Sequence, residues 1–545
     1  MMISKAAPQS SPSGPLRWRV TSRSRRAGGS TWSSILPDRS GRGYPCPMIW
    51  SLATLPLHLL DPAELVRVED PHYPGAIASS ATGALIVGPP GAGIPWRPAS
   101  IPSSDELYEG SRWAALEVLE ATNADLWHAD GITGAGVKIA IFDIGWFGGG
   151  ADPGELGEVF THDCFVSPTC ERPMDLLRPN LSLEGGVHGW ACAEAIRDVA
   201  PGAEIHLVRS NSFTMLENGV DWAIREGIDV ISMSMSFYND SFQDGTGPHD
   251  RLMRKLEAAD ILMVTSAGND AEVHWAGPLI DADADGRVDG DGDNGLWIYL
   301  ERDTTVGITW NQFNSCGHTD LDAYVVGPGR RIIGASEDDQ IPGADRCRPV
   351  ESVRAVVRQP DWYRLEIVHR RGSRANVKID VISRGGALLQ PIPAGSLSDP
   401  ASHPLAIAVG AVRVGNYWDG PPEPFSSQGP NSAGDPKPDI SGPDGFSSDA
   451  FGPEGFYGTS ASTPVVAGLL ALVIEDEPQL SNREAFELLA AWARDGTGLS
   501  IAADPQLGAG RARLPIREPG AAPCGQRPLI MPLLFLPLWW RPRRR

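Results

Sequence analysis

An α/β fold is predicted for this 545-residue chain, a parallel sheet with helices on both faces, interrupted by an inserted all-β sandwich. Three observations predict it. Between 137 and 266, short apolar runs alternate with stretches of helical length and period, which is how parallel strands joined by crossover helices read in sequence. Between 273 and 385 the helical period disappears, and short alternating runs rich in β-branched and aromatic residues replace it, the signature of a β-sandwich. A long apolar helical pattern, Val465 to Val473, then returns.

The first α/β part opens with helical spacing over 112–128. Strands are expected at 137–142, 203–208, 228–235 and 261–266, with helices at 189–198, 213–226 and 249–258. The insert carries strand-like runs at 296–300, 305–310, 321–326, 353–357, 362–368 and 375–382.

Four polar residues sit where such a fold gathers its chemistry, at strand ends and helix starts. The strand 137–142 ends at Asp143-Ile144-Gly145, and Gly185-Gly186-Val187-His188-Gly189 opens a buried helix. The strand 261–266 stops at Ser266-Ala267-Gly268-Asn269, and Gly458-Thr459-Ser460-Ala461-Ser462-Thr463-Pro464 leads into the late apolar helix. Pro464 is expected in the first turn of that helix, where its missing N–H costs nothing. A serine hydroxyl is a weak nucleophile alone and needs a base, an orienting group and an oxyanion donor. Ser460, His188, Asp143 and Asn269 supply these four roles in turn. Taken singly, each also has an ordinary structural role as a cap or turn residue.

In that order these motifs resemble the subtilisin-like serine peptidases, the subtilases, over 124–271 and 395–510. Ile228 to Ser236, Ala200-Pro201-Gly202-Ala203, Ala408 to Val412, Phe425 to Pro430 and Lys437 to Ile440 carry further likeness. The resemblance implies a serine endopeptidase acting through an Asp143–His188–Ser460 triad and an acyl-enzyme. It implies Asn269 at the oxyanion, and a substrate backbone pairing with Ser234, Met235 and Ser236. The chain departs from the family at Ile144 and Trp190, where Thr or Ser is usual, and at Ser236 and Phe237, where glycines are usual. Trp190 and Phe237 are expected to narrow the subsites. If Trp190 obstructs His188, the alternative is a catalytically impaired binding protein on the same scaffold.

Composition narrows the partners. Net charge is −22, although residues 1–47 hold eight Lys/Arg against Asp38 and residues 527–545 hold five Arg. So acidic a body repels phosphate, which argues against nucleic acid as a partner; the family resemblance implies a protein or peptide substrate. The run Asp281-Ala-Asp283-Ala-Asp285-Gly286-Arg-Val-Asp289 places carboxylates at alternate positions with Gly286 for the turn. That pattern suits Ca²⁺, which takes six to eight hard oxygens; Gly292 stands where the helix-flanked Ca²⁺ loop has Glu. The pairs Cys164/Cys170 and Cys316/Cys347 are candidate disulfides of an exported protein, and Cys192 is expected as a reduced core thiol.

The expected organisation is therefore as follows. Residues 1–47 are disordered or follow a start assigned too early, and 48–110 are a signal segment, propeptide or linker with no folded prodomain visible. Residues 111–272 and 386–512 are the two parts of the α/β catalytic domain. Residues 273–385 are the insert, in which Trp310 and Asp320 to Tyr324 resemble β-sandwich modules accompanying secreted bacterial peptidases. Residues 513–545 are a linker and tail. There, Cys524, an apolar stretch from Leu529 to Trp540 and Arg541 to Arg545 resemble C-terminal sorting tails of bacterial surface proteins. Too short to span a bilayer comfortably, the tail implies transient membrane anchoring and an extracellular or cell-surface location.

Overall fold

The computed structural model describes residues 116–146, 156–174, 176, 186–290, 294–313, 319–340, 348–493 and 504–517, and four strands upstream between 65 and 95. The expectations for residues 1–47, the apolar run after Met48, Cys46, Cys316, Cys347 and the C-terminal tail lie outside the described residues.

Seven strands form the central sheet. In spatial order they are Ile440–Asp444, Ile407–Arg413, Leu262–Ser266, Val230–Met233, Lys138–Asp143, Glu204–Arg209 and Val159–Asp163. Every neighbouring pair is parallel. Alternation along a strand sends its residues to two cores. Ile139 and Ile141 join the side holding the helices His188–Val199 and Thr459–Asp476. Ala140 and Phe142 join the side holding Phe213–Glu226 and Pro248–Ala258. Because both faces are covered, the middle strands read as continuous apolar runs. The α/β class with helices on both faces is thus the observed one.

Thr459–Asp476 is long and apolar enough to cross a membrane by composition, but most of it is buried inside this fold. It starts at Thr459, so Pro464 falls in its second turn and not in its first as expected. Proline there has no N–H to give the carbonyl of Ser460. Ser234 Oγ donates to that carbonyl instead, at 2.9 Å.

The region between the two α/β parts is all antiparallel. Seven strands form one sheet: His274–Pro278, Leu296–Trp310, Thr319–Gly327, Arg331–Ser336, Val350–Ala355, Asp361–Gly372 and Lys378–Leu388. Leu296–Trp310 is shared among three partners. Its first half pairs Asp361–Gly372, its second half pairs Val350–Ala355, and Lys378–Leu388 runs along its other edge. The sheet encloses its own core, which includes Ile298, Val306, Trp310, Leu321, Leu365 and Ile379. The Asp-x-Asp motif in it faces arginines. Arg371 Nε donates to Asp320 at 2.7 Å, and Arg370 pairs with Asp322.

Upstream, Leu65–Val68, Ala78–Ser80, Gly83–Val87 and Ile94–Pro95 make a four-stranded antiparallel sheet. Ala78–Ser80 lies against the helix Phe213–Glu226. The sequence reading saw no folded element there, because Pro and Gly interrupt every run before a period can establish itself.

Candidate functional site

Asp143, Ser234 and Asn269 all lie at the carboxyl edge of the parallel sheet, at or just beyond strand ends. The first residues of the helices His188–Val199 and Thr459–Asp476 reach the same edge. Strand-end loops and helix N-termini therefore converge there, where backbone N–H groups favour negative charge.

Asp143 is fully buried, and its two oxygens are committed separately. Oδ1 accepts from the backbone N–H of Ile144 at 2.7 Å and of Gly145 at 2.8 Å. Oδ2 meets His188 Nδ1 at 2.7 Å. An acceptor facing Nδ1 fixes the proton on that nitrogen and leaves the lone pair on Nε2. Nε2 is buried and has no hydrogen-bond partner among the described residues. The imidazole is therefore oriented by one nitrogen and holds the other ready for a proton. The close approach requires Gly189, because a Cβ there would come within 2.7 Å of Asp143 Cβ.

Ser460 is the second residue of its helix and is fully buried. Its Oγ lies 3.5 Å from the carbonyl of Ser234, while Ser234 Oγ holds the carbonyl of Ser460. The segment Ser234, Met235, Ser236 thus runs beside the serine, with its side chains buried. Burial of Asp143, His188 and Ser460 together removes bulk water, and hydrogen bonds in such surroundings are electrostatically stronger than in solvent.

Asn269 is tied to the same helix. Its Oδ1 accepts from Thr459 N at 3.0 Å and from Thr459 Oγ1 at 2.8 Å. A backbone N–H can only donate, so the amide must present its oxygen to Thr459, which directs its NH₂ end the other way. Gly268 precedes it at φ 113°, a conformation side chains avoid, and a Cβ there would lie 2.7 Å from Ser427 Oγ.

Trp190 and Phe237, the two large residues expected near the groove, are both buried. Trp190 is 2 % exposed and belongs to the apolar core between the sheet and its helices. Phe237 is likewise buried, with its ring 5.2 Å from that of His249. Helical geometry contains the reason for Trp190. His188 and Cys192, four apart, share a face, whereas two residues on from His188 is the opposite side.

Cys192 is a buried free thiol, as expected, with its Sγ 3.8 Å from the carbonyl of Ser460. Burial, with the Asp143 charge nearby, pushes its pKa well up, which makes it inert. Cys164 and Cys170 are joined in a disulfide.

Asp444 is a further residue at this edge, which no sequence motif marks. It ends the strand Ile440–Asp444 fully buried, and its Oδ2 accepts from the N–H of Gly458 at 2.9 Å, holding the turn before Ser460. Oδ1 has no partner. Burial raises its pKa to about 7. A carboxyl raised in this way binds its proton more tightly folded than unfolded, where about 3.9 is usual. Its stabilisation is present at low pH and is lost as pH rises through about 7. Asp444→Asn should leave the melting temperature near pH 4 unchanged and raise it relative to the parent at pH 8. Thermal melts across that range would show this, and superimposable pH profiles would contradict it.

The acidic loop is also assembled. Carboxylate oxygens of Asp281, Asp283 and Asp285 lie within 4.8 Å of one another. Asp281 Oδ1 accepts from Asp285 N, and Arg374 pairs with its Oδ2 at 2.6 Å. Arg287 Nη1 pairs with Asp285 at 3.1 Å. Asp289 is outside this group, and its Oδ2 takes the N–H of Ala282 at 2.7 Å.

The fold and the edge of the sheet define a subtilisin-like α/β protein in which Asp143 holds His188 and a helix opens at Ser460, with no hydrogen bond between Nε2 of His188 and Ser460 Oγ. The model of the Subtilase family matches residues 183–293 and 359–510. The two matched segments contain His188, Asn269 and Ser460, while Asp143 lies upstream of them. Subtilisin E of Bacillus subtilis (strain 168) is 25% identical over 149 residues, 26% of this chain and 37% of that protein. Subtilisin NAT of Bacillus subtilis subsp. natto gives the same figures. The chain therefore spans 37% of the length of these curated relatives. Among solved structures, the Clostridium perfringens CspB protease has a TM-score of 0.51 at 17% identity, covering 73% of this chain and 97% of that one. At that identity the likeness is one of fold.

Proposed function

We propose that the chain is a serine endopeptidase that hydrolyses protein or peptide substrates through Asp143, His188 and Ser460. The observation that carries this reading is the His188 imidazole, held by Asp143 at Nδ1 with Nε2 unpartnered, in a chain that the Subtilase family model matches over 183–293 and 359–510.

In this mechanism Ser460 Oγ attacks the scissile carbonyl and its proton passes to His188 Nε2. Asp143 stabilises the resulting imidazolium. The Asn269 NH₂ group, anchored through Thr459, donates to the oxyanion. Collapse breaks the C–N bond as His188 returns the proton to the leaving amine. Water then repeats the sequence on the acyl-enzyme and restores Ser460. The substrate backbone pairs with Ser234–Ser236 as an added strand, a mode of recognition tolerant of sequence. Ser460 is closed off from solvent here, so access requires that its surroundings open.

The test is hydrolysis of casein by the purified chain. Release of acid-soluble peptides is expected. A folded preparation inert on casein and on a panel of peptide anilides between pH 6 and 9 would reject the proposal.

We place the enzyme outside the cell, at a bacterial surface or beyond it. The Cys164–Cys170 disulfide supports this, since such bonds persist in oxidising compartments. The C-terminal tail would anchor it transiently to the membrane. Residues 273–385 form the inserted unit, between catalytic parts 111–272 and 386–512.

A structural Ca²⁺ fits the acidic loop. Asp281, Asp283 and Asp285 offer converging oxygens, and Arg374 and Arg287 balance only part of their charge. Asp289 would brace the loop through Ala282. Bound at 100 times its dissociation constant, the ion would add about 2.7 kcal/mol. Chelation should then lower the melting temperature by roughly 2–4 °C. An unchanged melt in EDTA, with no calcium by elemental analysis, would retire the site.

A further inference from the structure

Asn269 is fixed at its amide by Thr459, but its backbone needs a second anchor, and the structure contains one that no catalytic role uses. The next residue, Asp270, is 6 % exposed. Its carboxylate accepts from Tyr238 Oη at 3.1 and 3.0 Å, one distance to each oxygen. Tyr238 lies two residues beyond Ser236, at the end of the segment beside Ser460. The backbone of the same turn is pinned from a third side. Asp270 N donates to Ser427 Oγ at 3.1 Å, and Ser427 N donates to the carbonyl of Gly268 at 2.9 Å.

The inserted sheet closes over this contact. The Arg384 guanidinium lies 5.1 Å from the centre of the Tyr238 ring. His274, buried, meets Asp380 at 2.8 Å and the carbonyl of Ile392 at 2.5 Å. Burial raises Asp270 to about 6, against the opposing pull of Tyr238, Arg384 and His274. A buried carboxylate with a raised pKa costs stability where it is ionised, so packing alone does not explain it.

We propose that Asp270 and Tyr238 are positioning residues for the Asn269 amide, and that Arg384 of the inserted sheet holds them in place. The insert is then part of the oxyanion apparatus and not only a brace. This rests on the peptidase reading above. Asp270 fixes Asn269 from its C-terminal side while Thr459 fixes it from the serine helix. Loss of either anchor lets the amide drift relative to the carbonyl it must meet, and a misplacement of about 1 Å costs on the order of 100-fold in rate.

The test compares Asp270→Ala, Asp270→Asn, Tyr238→Phe and Arg384→Gln with the parent in the full chain. For Asp270→Ala and Tyr238→Phe, kcat should fall about 10- to 100-fold with KM within about twofold, as for an interaction felt in the transition state. Asp270→Asn keeps an acceptor for Tyr238 and should recover most of the rate. Arg384→Gln should show a smaller kcat loss of the same kind. Backbone hydrogen exchange at residues 267–271 should accelerate in Asp270→Ala and Tyr238→Phe and return towards the parent in Asp270→Asn. An unchanged kcat in Tyr238→Phe, or exchange at 267–271 identical to the parent, would overturn the proposal. So would a loss that Asn fails to rescue and that tracks a global fall in melting temperature. If the parent itself hydrolyses nothing, the peptidase reading fails separately, and the exchange measurement still decides whether Asp270 positions Asn269.

Discussion

A Ser460→Ala chain is expected to lose peptide hydrolysis by about 10⁴- to 10⁶-fold while keeping its fold. The loss is large because the remaining groups serve only that oxygen. His188 Nε2 is unpartnered, and the neighbouring hydroxyls are committed elsewhere, Thr459 Oγ1 to Asn269 Oδ1, Ser462 Oγ to the carbonyl of Gly442 and Thr463 Oγ1 to the carbonyl of Thr459. The change is conservative for structure. Alanine is the better helix former, and the backbone contact that matters, Ser234 Oγ on the carbonyl of residue 460, does not involve the side chain. Circular dichroism and the melting temperature should match the parent. A variant with more than about one per cent of parental turnover would remove Ser460 from its role.

Asp143→Asn should cost about 10⁴-fold in kcat through a different physical route. Asp143 uses Oδ1 on two backbone N–H groups, and Asn can keep those with its own carbonyl oxygen. The atom facing His188 Nδ1 then becomes an NH₂ donor. It selects the imidazole tautomer with its lone pair on Nδ1 and its hydrogen on Nε2, where a base is needed. Geometry survives and protonation is inverted. KM should change little, because the altered interaction is felt mainly as the imidazolium forms. Partial recovery at high pH would agree with loss of a base. Activity within tenfold of the parent would show that Asp143 does not set the tautomer.

The positions of the candidate site residues were legible in the sequence because each ends or begins an element whose period is strong. Asp143 and Asn269 follow continuous apolar strands, and His188 and Ser460 open buried helices. Elements without such a period were missed. Val159–Asp163 is an edge strand with one face half exposed, and its only apolar residues are adjacent. His274–Pro278 contains Gly277 and Pro278, which read as a turn. Arg331–Ser336 has no buried residue, half of it being exposed and the rest half-buried. Contacts between segments far apart in sequence carried no signal at all. Thr459 on Asn269, Asp444 on Gly458 and Tyr238 on Asp270 join residues 190, 14 and 32 positions apart. Trp190 stood out as a departure from the family, but only its position on the helix reveals that it points into the core. Pro464 was read one turn too early, because the small polar residues before it lack an apolar period although they are helical.

The most direct test of the account is to treat the native chain with a fluorophosphonate, digest it, and locate the adduct by mass spectrometry. A single adduct on Ser460, absent from heat-unfolded chain and from His188→Ala, is the expected result. A native, folded chain that takes no label, or takes it on another residue, would contradict the claim that Asp143, His188 and Ser460 act as one catalytic unit.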